Sequence, residues 1–271
     1  MPLKKDDDGR RWVEVEFLVP GTPEQVWDAI ATGPGMSAWF TPTSVDERVG
    51  GAIAFDFGDG AVSSGVVTEW EPPVRLGYEE HEWSGDAPPV ATEVTVTSRS
   101  GDRCVVRMVH SLFTDQDDWD DELESFETGW PGFFEVLRLY LRDFPGQPVA
   151  GVLAAATHPG DMASAWSSLA AAVGVAGVDV GQRCESRFAA PQLAGVVERI
   201  AQKRDFRDVM VRLDAPGPGI AVVGGCVADG QTRVMVSLYL YGESAADTAE
   251  AEAPKWRTWM AQLVHADRAS T

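Results

Sequence analysis

The chain is short of cysteine, short of bases and short of long apolar runs, and each shortage removes a class of protein. Its three cysteines, Cys104, Cys184 and Cys226, stand far apart with no Cys-x-x-Cys pair. Neither a zinc site nor a disulfide framework is expected, and a reducing cytoplasm fits. Lysine and arginine number 22 against 42 aspartates and glutamates, a formal charge of −20. Such a surface repels phosphate backbones, so nucleic acid is not an expected partner. No uncharged stretch is longer than residues 162–178, which fall short of the ~20 residues of a membrane helix and read as a small-residue helix packed on a sheet. Met1 to Arg11 is charged and has no apolar core of a signal peptide, so a cytoplasmic location is expected. There is no Gly-x-Ser-x-Gly elbow and no phosphate loop; Gly58-Asp59-Gly60 reads as a hairpin turn.

What the sequence does have is a pattern written twice. Pro20 and Trp27 are spaced like Pro159 and Trp166. Val49-Gly50 precedes Gly65-Val66-Val67-Thr68-Glu69, as Val180-Gly181 precedes Gly195-Val196-Val197-Glu198-Arg199. Trp130, Phe134 and Leu137 are spaced like Trp256, Met260 and Leu263. Such self-similarity predicts two related domains, and 271 residues have room for them. The acidity is uneven: 29 acidic and 11 basic residues up to position 150, a balance of −18, against 13 and 11 afterwards. That charge serves solubility or steers a partner with a basic surface.

Local patterns predict the elements. Val13, Val15 and Phe17 alternate with Glu14 and Glu16 as in a half-buried strand. Thr22-Pro23 with Gln25 opens a helix. Gly33-Pro34-Gly35 is expected to break it, with a second short helix at 36–40. A meander of strands follows, at about 53–57, 65–70, 76–83, 92–96 and 104–113. Helical spacing then runs from 119 to 142, with a kink or restart expected at Gly129 and Pro131. Residues 145–149, containing Pro145-Gly146-Gln147-Pro148, read as a linker. The second half repeats strand, helix, strands and final helix. It lacks a counterpart of residues 33–40, and has Cys184 and Ser186 where the first copy has Ile53 and Phe55. The expected organisation is a tail at 1–11, a domain at 12–144, a degenerate copy at 150–266 and a tail at 267–271.

Thr22-Pro23-Glu24-Gln25-Val26-Trp27, Val49-Gly50-Gly51, Glu71-Pro72-Pro73-Val74-Arg75-Leu76, Val109-His110-Ser111 and Gly129-Trp130-Pro131-Gly132-Phe133-Phe134-Glu135-Val136-Leu137 together resemble the SRPBCC (START-like, helix-grip) superfamily. Within it they resemble the bacterial branch related to the activator of the heat-shock-protein-90 ATPase. The resemblance covers residues 12–144. It implies an α+β fold of two tandem helix-grip domains, each a curved antiparallel sheet wrapped on a long C-terminal helix, the second degenerate. It also implies a cavity between sheet and helix. The superfamily includes lipid carriers, polyketide cyclases and chaperone cofactors, so the fold does not choose an activity.

Strand parity selects the candidates. If Val106 and Met108 face the helix, so does His110; if Leu76 and Tyr78 face inward, so does Glu80. Glu80 and His110 are the candidate acid–base pair or polar anchors, with mutual attraction expected to offset the effect of burial on Glu80. The competing reading puts Glu80 in a solvated run, Glu79-Glu80-His81-Glu82, and lets His110 bond a backbone carbonyl. That run cannot converge on one metal ion, because neighbours on a strand point to opposite faces. No metal or cofactor is expected. His158 and His265 read as surface residues. Trp39, Phe55, Phe57, Tyr78, Val94, Met108, His110, Phe126, Trp130, Phe133 and Phe134 are the expected lining of an apolar pocket, with Trp83 in the same aromatic set. The expected function is a non-catalytic binder of an apolar small molecule such as a lipid or polyketide. A chaperone cofactor and a cyclase/dehydratase-like enzyme using Glu80 and His110 are the alternatives.

Overall fold

The computed structural model describes residues 3–6, 9–58, 60–81, 83, 87–114, 119–187, 189–228 and 230–269. The chain divides into two units, Met1–Gly146 and Gln147–Thr271, each an antiparallel sheet with a long C-terminal helix.

In the first unit, β1 (Lys4–Lys5) and β2 (Arg10–Pro20) precede α1 (Pro23–Ala31) and α2 (Gly33–Ser37). Then come β3 (Thr43–Val45), β4 (Ala52–Asp56), β5 (Val62–Glu71), β6 (Arg75–Glu80), β7 (Val90–Arg99), β8 (Arg103–Phe113) and α3 (Asp120–Asp143). The sheet order is β1-β2-β8-β7-β6-β5-β4-β3. Strands β3 to β8 are a plain meander; the crossover through α1 and α2 carries the chain from β2, beside β8, to the far edge at β3. Alternation is visible in β2, where Val13, Val15 and Val19 are buried and Glu16 is exposed. α1 opens with a capping box: the Thr22 hydroxyl accepts from the Gln25 N–H, and the Gln25 side chain accepts from the Thr22 N–H.

One expectation about helices is corrected and one is narrowed. Gly33-Pro34-Gly35 does not break a helix but begins one. The Thr32 hydroxyl donates to Asp28 O at 2.7 Å and accepts from Gly35 N at 3.0 Å, so one side chain closes α1 and caps α2. Pro34 loses nothing in a first turn, where an N–H has no helical acceptor. α3 runs from Asp120 to Asp143 without a restart, with Pro131 inside it. The segment read as a solvated tail also takes part in the sheet. Lys4 and Lys5 pair with Trp12 and Arg11. Asp120, the first residue of α3, receives Arg11 Nη1 and Lys5 Nζ, each at 2.7 Å. These contacts stand where a capping side chain would, since Trp119 supplies none. α3 packs on β2 and β8, burying Leu123, Trp130, Phe134, Leu137 and Leu141.

The second unit has β9 (Val149–His158), α4 (Met162–Ala172), β10 (Arg183–Glu185), β11 (Ala194–Gln202), β12 (Phe206–Ala215), β13 (Gly219–Ala228), β14 (Gln231–Tyr241) and α5 (Ala245–Ala269), in sheet order β10-β11-β12-β13-β14-β9. α5 lies on β9 and β14, and α4 on β13 and β14. Nothing between α4 and β10 corresponds to α2 and β3. His158, read as a surface residue, is buried: its Nδ1 accepts from Gly160 N at 3.0 Å, which folds the turn back over it.

The repeated motifs occupy the same backbone geometry in both units. Gly50 N donates to Val67 O, and Gly181 N to Val197 O, each at 2.8 Å. Both glycines have positive φ, 76° and 86°, a region open to glycine at no steric cost. The pairing slips between Val67 and Glu69 in β5 and between Val197 and Arg199 in β11, the same step of each motif. Gly65 and Gly195 begin the motif opposite Ile53 and Cys184. A Cβ at either would lie 2.2 or 2.1 Å from a carbonyl oxygen, of Glu79 or Arg212.

Candidate functional site

The register of the first sheet decides which side chains share its inner face. Tyr78, Thr92, His110 and Val13 form one row across β6, β7, β8 and β2. Leu76, Val94, Met108 and Val15 form the next row. Residues directly opposite one another project to the same side, and all eight are buried. Glu80 lies one row further on, opposite Gly65 and Val90. The same face therefore carries a carboxyl, a phenol, a hydroxyl and an imidazole on a floor of aliphatic side chains.

Two hydroxyls serve the ionisable groups on this face. Ser63 Oγ lies 2.5 Å from Glu80 Oε1, and Thr92 Oγ1 lies 2.9 Å from His110 Nδ1. Thr92 also hydrogen-bonds Tyr78. Burial pushes the Glu80 carboxyl above its ordinary range, and the Ser63 hydrogen bond opposes this. Burial pulls the His110 imidazole down to about 3. It also pushes the Tyr78 phenol upward, with the nearby Glu80 adding to the effect. Desolvation is the first cause in all three cases, so the face favours uncharged groups. The attraction expected between Glu80 and His110 is not among the causes acting on either. β7 separates their strands, and they occupy different rows. With strands ~4.8 Å apart and ~6.8 Å between same-face residues, their Cα atoms are roughly 12 Å apart on a flat sheet.

The aromatic residues pack over these rows. The Trp130 ring stacks on His110, with centroids 5.6 Å apart and planes at 11°. Trp39 and Phe40 pack on Trp130 at 6.3 and 5.0 Å, and Phe134 stacks on Phe17 at 4.0 Å. Phe55 meets Tyr78 at 5.6 Å and Phe40 at 5.9 Å. The Trp39 indole donates to Ala29 O at 2.8 Å. Phe133 and Phe57 touch Phe40 but are 37% and 49% exposed, which sets them at the outer rim. Trp83 lies apart, against Trp119. The side chain of Phe126 is outside the described residues. Beyond the rim, His81 pairs with Glu79 at 3.7 Å on the surface. Ser111 is on the opposite face, accepting from Arg10 Nη2 at 2.9 Å.

Ser63, Thr92, Phe17 and Phe40 belong to this arrangement but were not among the sequence candidates for the site. Thr92 shares the parity of Val94 and Val96, so its face was legible. Its partnership with His110, 18 residues away, depends on the β7–β8 register. Ser63 reaches Glu80 diagonally across β5 and β6, which no spacing rule foretells.

Comparison with known proteins gives one family. Residues 20–142 match the family described as Activator of Hsp90 ATPase homolog 1-like protein. No curated protein matches the chain. Among solved structures, DynU16 from the dynemicin biosynthetic locus is 18% identical, covers 98% of this chain and 100% of its own, and gives a TM-score of 0.44. CalU16 from Micromonospora echinospora is 20% identical over 52% of this chain and 83% of its own, at 0.42. The Aha1 dimer from Colwellia psychrerythraea is 20% identical over 49% and 96%, at 0.42.

Proposed function

We propose, from the match of residues 20–142 to the Activator of Hsp90 ATPase homolog 1-like family, that the first unit takes up an apolar small molecule between its sheet and α3. The observation that carries the reading is the inner face itself. Burial favours the uncharged forms of Glu80, Tyr78 and His110, and they sit among aliphatic and aromatic side chains. A few polar groups converging on an otherwise apolar surface is the composition of a small-molecule site. Thr92 and Ser63 hold His110 and Glu80 in place, so the face is prearranged for a neutral ligand.

The same geometry argues for binding rather than turnover. Glu80 and His110 are each held by a hydroxyl, Ser63 and Thr92, and neither acts on the other's protonation, so they are not arranged as a coupled acid–base pair. Native mass spectrometry of the full chain, with a dye-displacement screen of lipids and polyketides, tests the reading. Retention or displacement by apolar compounds is expected, and silence across a broad screen overturns it. Loss of a turnover by roughly 10²-fold or more in His110→Ala, with binding intact, would bring back the cyclase alternative.

A second reading, interaction with a protein, draws on the family description and on the −18 balance of the first 150 residues. It expects the chain to stimulate the ATPase of a purified heat-shock-protein-90 chaperone at low salt and less at high salt. No stimulation at low salt removes it.

A further inference from the structure

The indole N–H of Trp130 is a buried donor with no hydrogen-bond partner among the described residues, and the residue is only 8% exposed. Buried indoles usually find an acceptor, and a buried donor left without one is a standing cost. The neighbouring Trp39 follows the rule, donating to Ala29 O. The second unit holds the same feature at the matching place. Trp256 is fully buried and its N–H has no partner. It makes an edge contact with Trp259 three residues on, as Trp130 does with Phe133.

The two sites differ one turn toward the N-terminus. Glu252 stands there in α5, buried, with one carboxylate oxygen unpartnered. An unpartnered acceptor therefore stands one helical turn before the Trp256 indole. In α3 the corresponding residue is Phe126, which has no acceptor to offer. The rings around Trp130 are Trp39, Phe40, Phe133 and Phe134, with His110 stacked beneath. A buried water wants two to four polar partners; of the four rings Trp39, Phe40, Phe133 and Phe134 only Trp39 has a polar atom, a donor already given to Ala29 O. An acceptor oxygen brought by a bound molecule would complete Trp130.

An anionic head does not fit. Arg11 is the described cation on the inner face of β2, and it is held by Asp120. We propose that the ligand of the first unit carries a neutral acceptor oxygen, of ketone or quinone chemistry, and that this oxygen docks on the indole N–H of Trp130. The inference rests on the reading of this unit as an apolar-ligand binder and adds the chemistry of the ligand's polar end.

The test uses two probes of equal size, 2-acetylnaphthalene and 2-ethylnaphthalene, titrated calorimetrically into the full chain. Trp130→Phe keeps a ring and removes the donor. The wild type is expected to bind the ketone more tightly than the hydrocarbon. Trp130→Phe should lose about 2- to 10-fold more on the ketone than on the hydrocarbon, the worth of one ordinary hydrogen bond, so that the preference for the ketone disappears. In the wild type, the assigned indole N–H resonance of Trp130 should move with the ketone and not with the hydrocarbon. This readout decides the matter even if the variant does not fold. Equal binding of both probes with an unmoved indole resonance overturns the inference and leaves the binding reading standing, as does a ketone preference that survives in a folded Trp130→Phe. Binding of neither probe overturns both.

Discussion

Protonating His110 should destabilise the first unit. Its imidazole is held down to about 3 in the folded protein, against 6.5 for the free group, because it is buried. The folded value lies below the unfolded one, so protons favour the unfolded chain. This group's contribution is therefore complete above pH ~6.5 and drains away as pH falls toward ~3. Between those limits the unfolded imidazole is charged and the folded one is not, so each pH unit costs about 1.4 kcal/mol. From pH ~8 to ~4.5 the loss is about 2.7 kcal/mol, a substantial part of a domain's stability. His110→Gln has no such titration and keeps a polar atom near Thr92. Its stability at neutral pH will differ from that of the wild type, so the quantity to compare is the change between the two pH values. Urea unfolding at both, followed by hydrogen exchange of the β8 amides so that the second unit does not contribute, gives that change. The wild type should lose about 2.7 kcal/mol more than His110→Gln over the window. Parallel losses, or an imidazole that titrates near 6.5 by nitrogen-15 NMR, would refute the reasoning.

Glu80 acts in the opposite sense: its folded value is raised by burial, so its contribution is full below 4.5 and is lost as pH rises through the folded value. Glu80→Gln should flatten the fall in first-unit stability on the alkaline side of 4.5, read by the same unfolding assay; an unchanged slope counts against a buried carboxyl there. Gly65→Ala and Gly195→Ala each drive a methyl to about 2 Å from a carbonyl. Each should cost on the order of 3 kcal/mol or more in its own unit alone, seen as one of two calorimetric transitions moving; a shift under about 1 kcal/mol contradicts the close approach. Arg11→Met removes the buried-side partner of Asp120 and should cost about 1–2 kcal/mol, with faster exchange in the first turns of α3. If only β1 loosens, the tie to α3 was misjudged.

The parts of the fold that were legible in the sequence are those set by short-range rules. Period-two alternation located β2, β7 and β8, and helical spacing located the inner face of α3. Thr22, Pro23 and Gln25 announced α1 through a capping box that forms as written. What stayed hidden depends on neighbours distant in sequence. Thr32 closes one helix and opens the next, so Gly33-Pro34-Gly35 could not be told from a break by composition. Lys4 and Lys5 become a strand only because β2 offers an edge. At the candidate site, parity placed Glu80 and His110 on one face, but the register separates them and gives each a hydroxyl of its own. Register across three strands is a property of the assembled sheet, and one sequence does not encode it locally.

In both units the first long strand pairs with the last: β2 with β8, residues 10–20 with 103–113, and β9 with β14, residues 149–158 with 231–241. Whichever unit is being synthesised, its opening strand must wait for its partner to emerge. At ~5–20 residues per second, roughly 90 residues of waiting is about 5–20 s for the first unit. The two openings are not equally safe during that delay. β2 interleaves Glu14 and Glu16 with its valines, and such charges guard an unpaired edge. β9 reads Val-Ala-Gly-Val-Leu-Ala-Ala-Ala-Thr-His, without an acidic or basic side chain apart from its terminal histidine. The hazard during synthesis thus falls on the second unit. Leu153, 46% exposed once the unit has folded, is the place for a guard: Leu153→Lys should raise soluble yield in a cell-free synthesis without chaperones, and an unchanged yield would locate the hazard elsewhere.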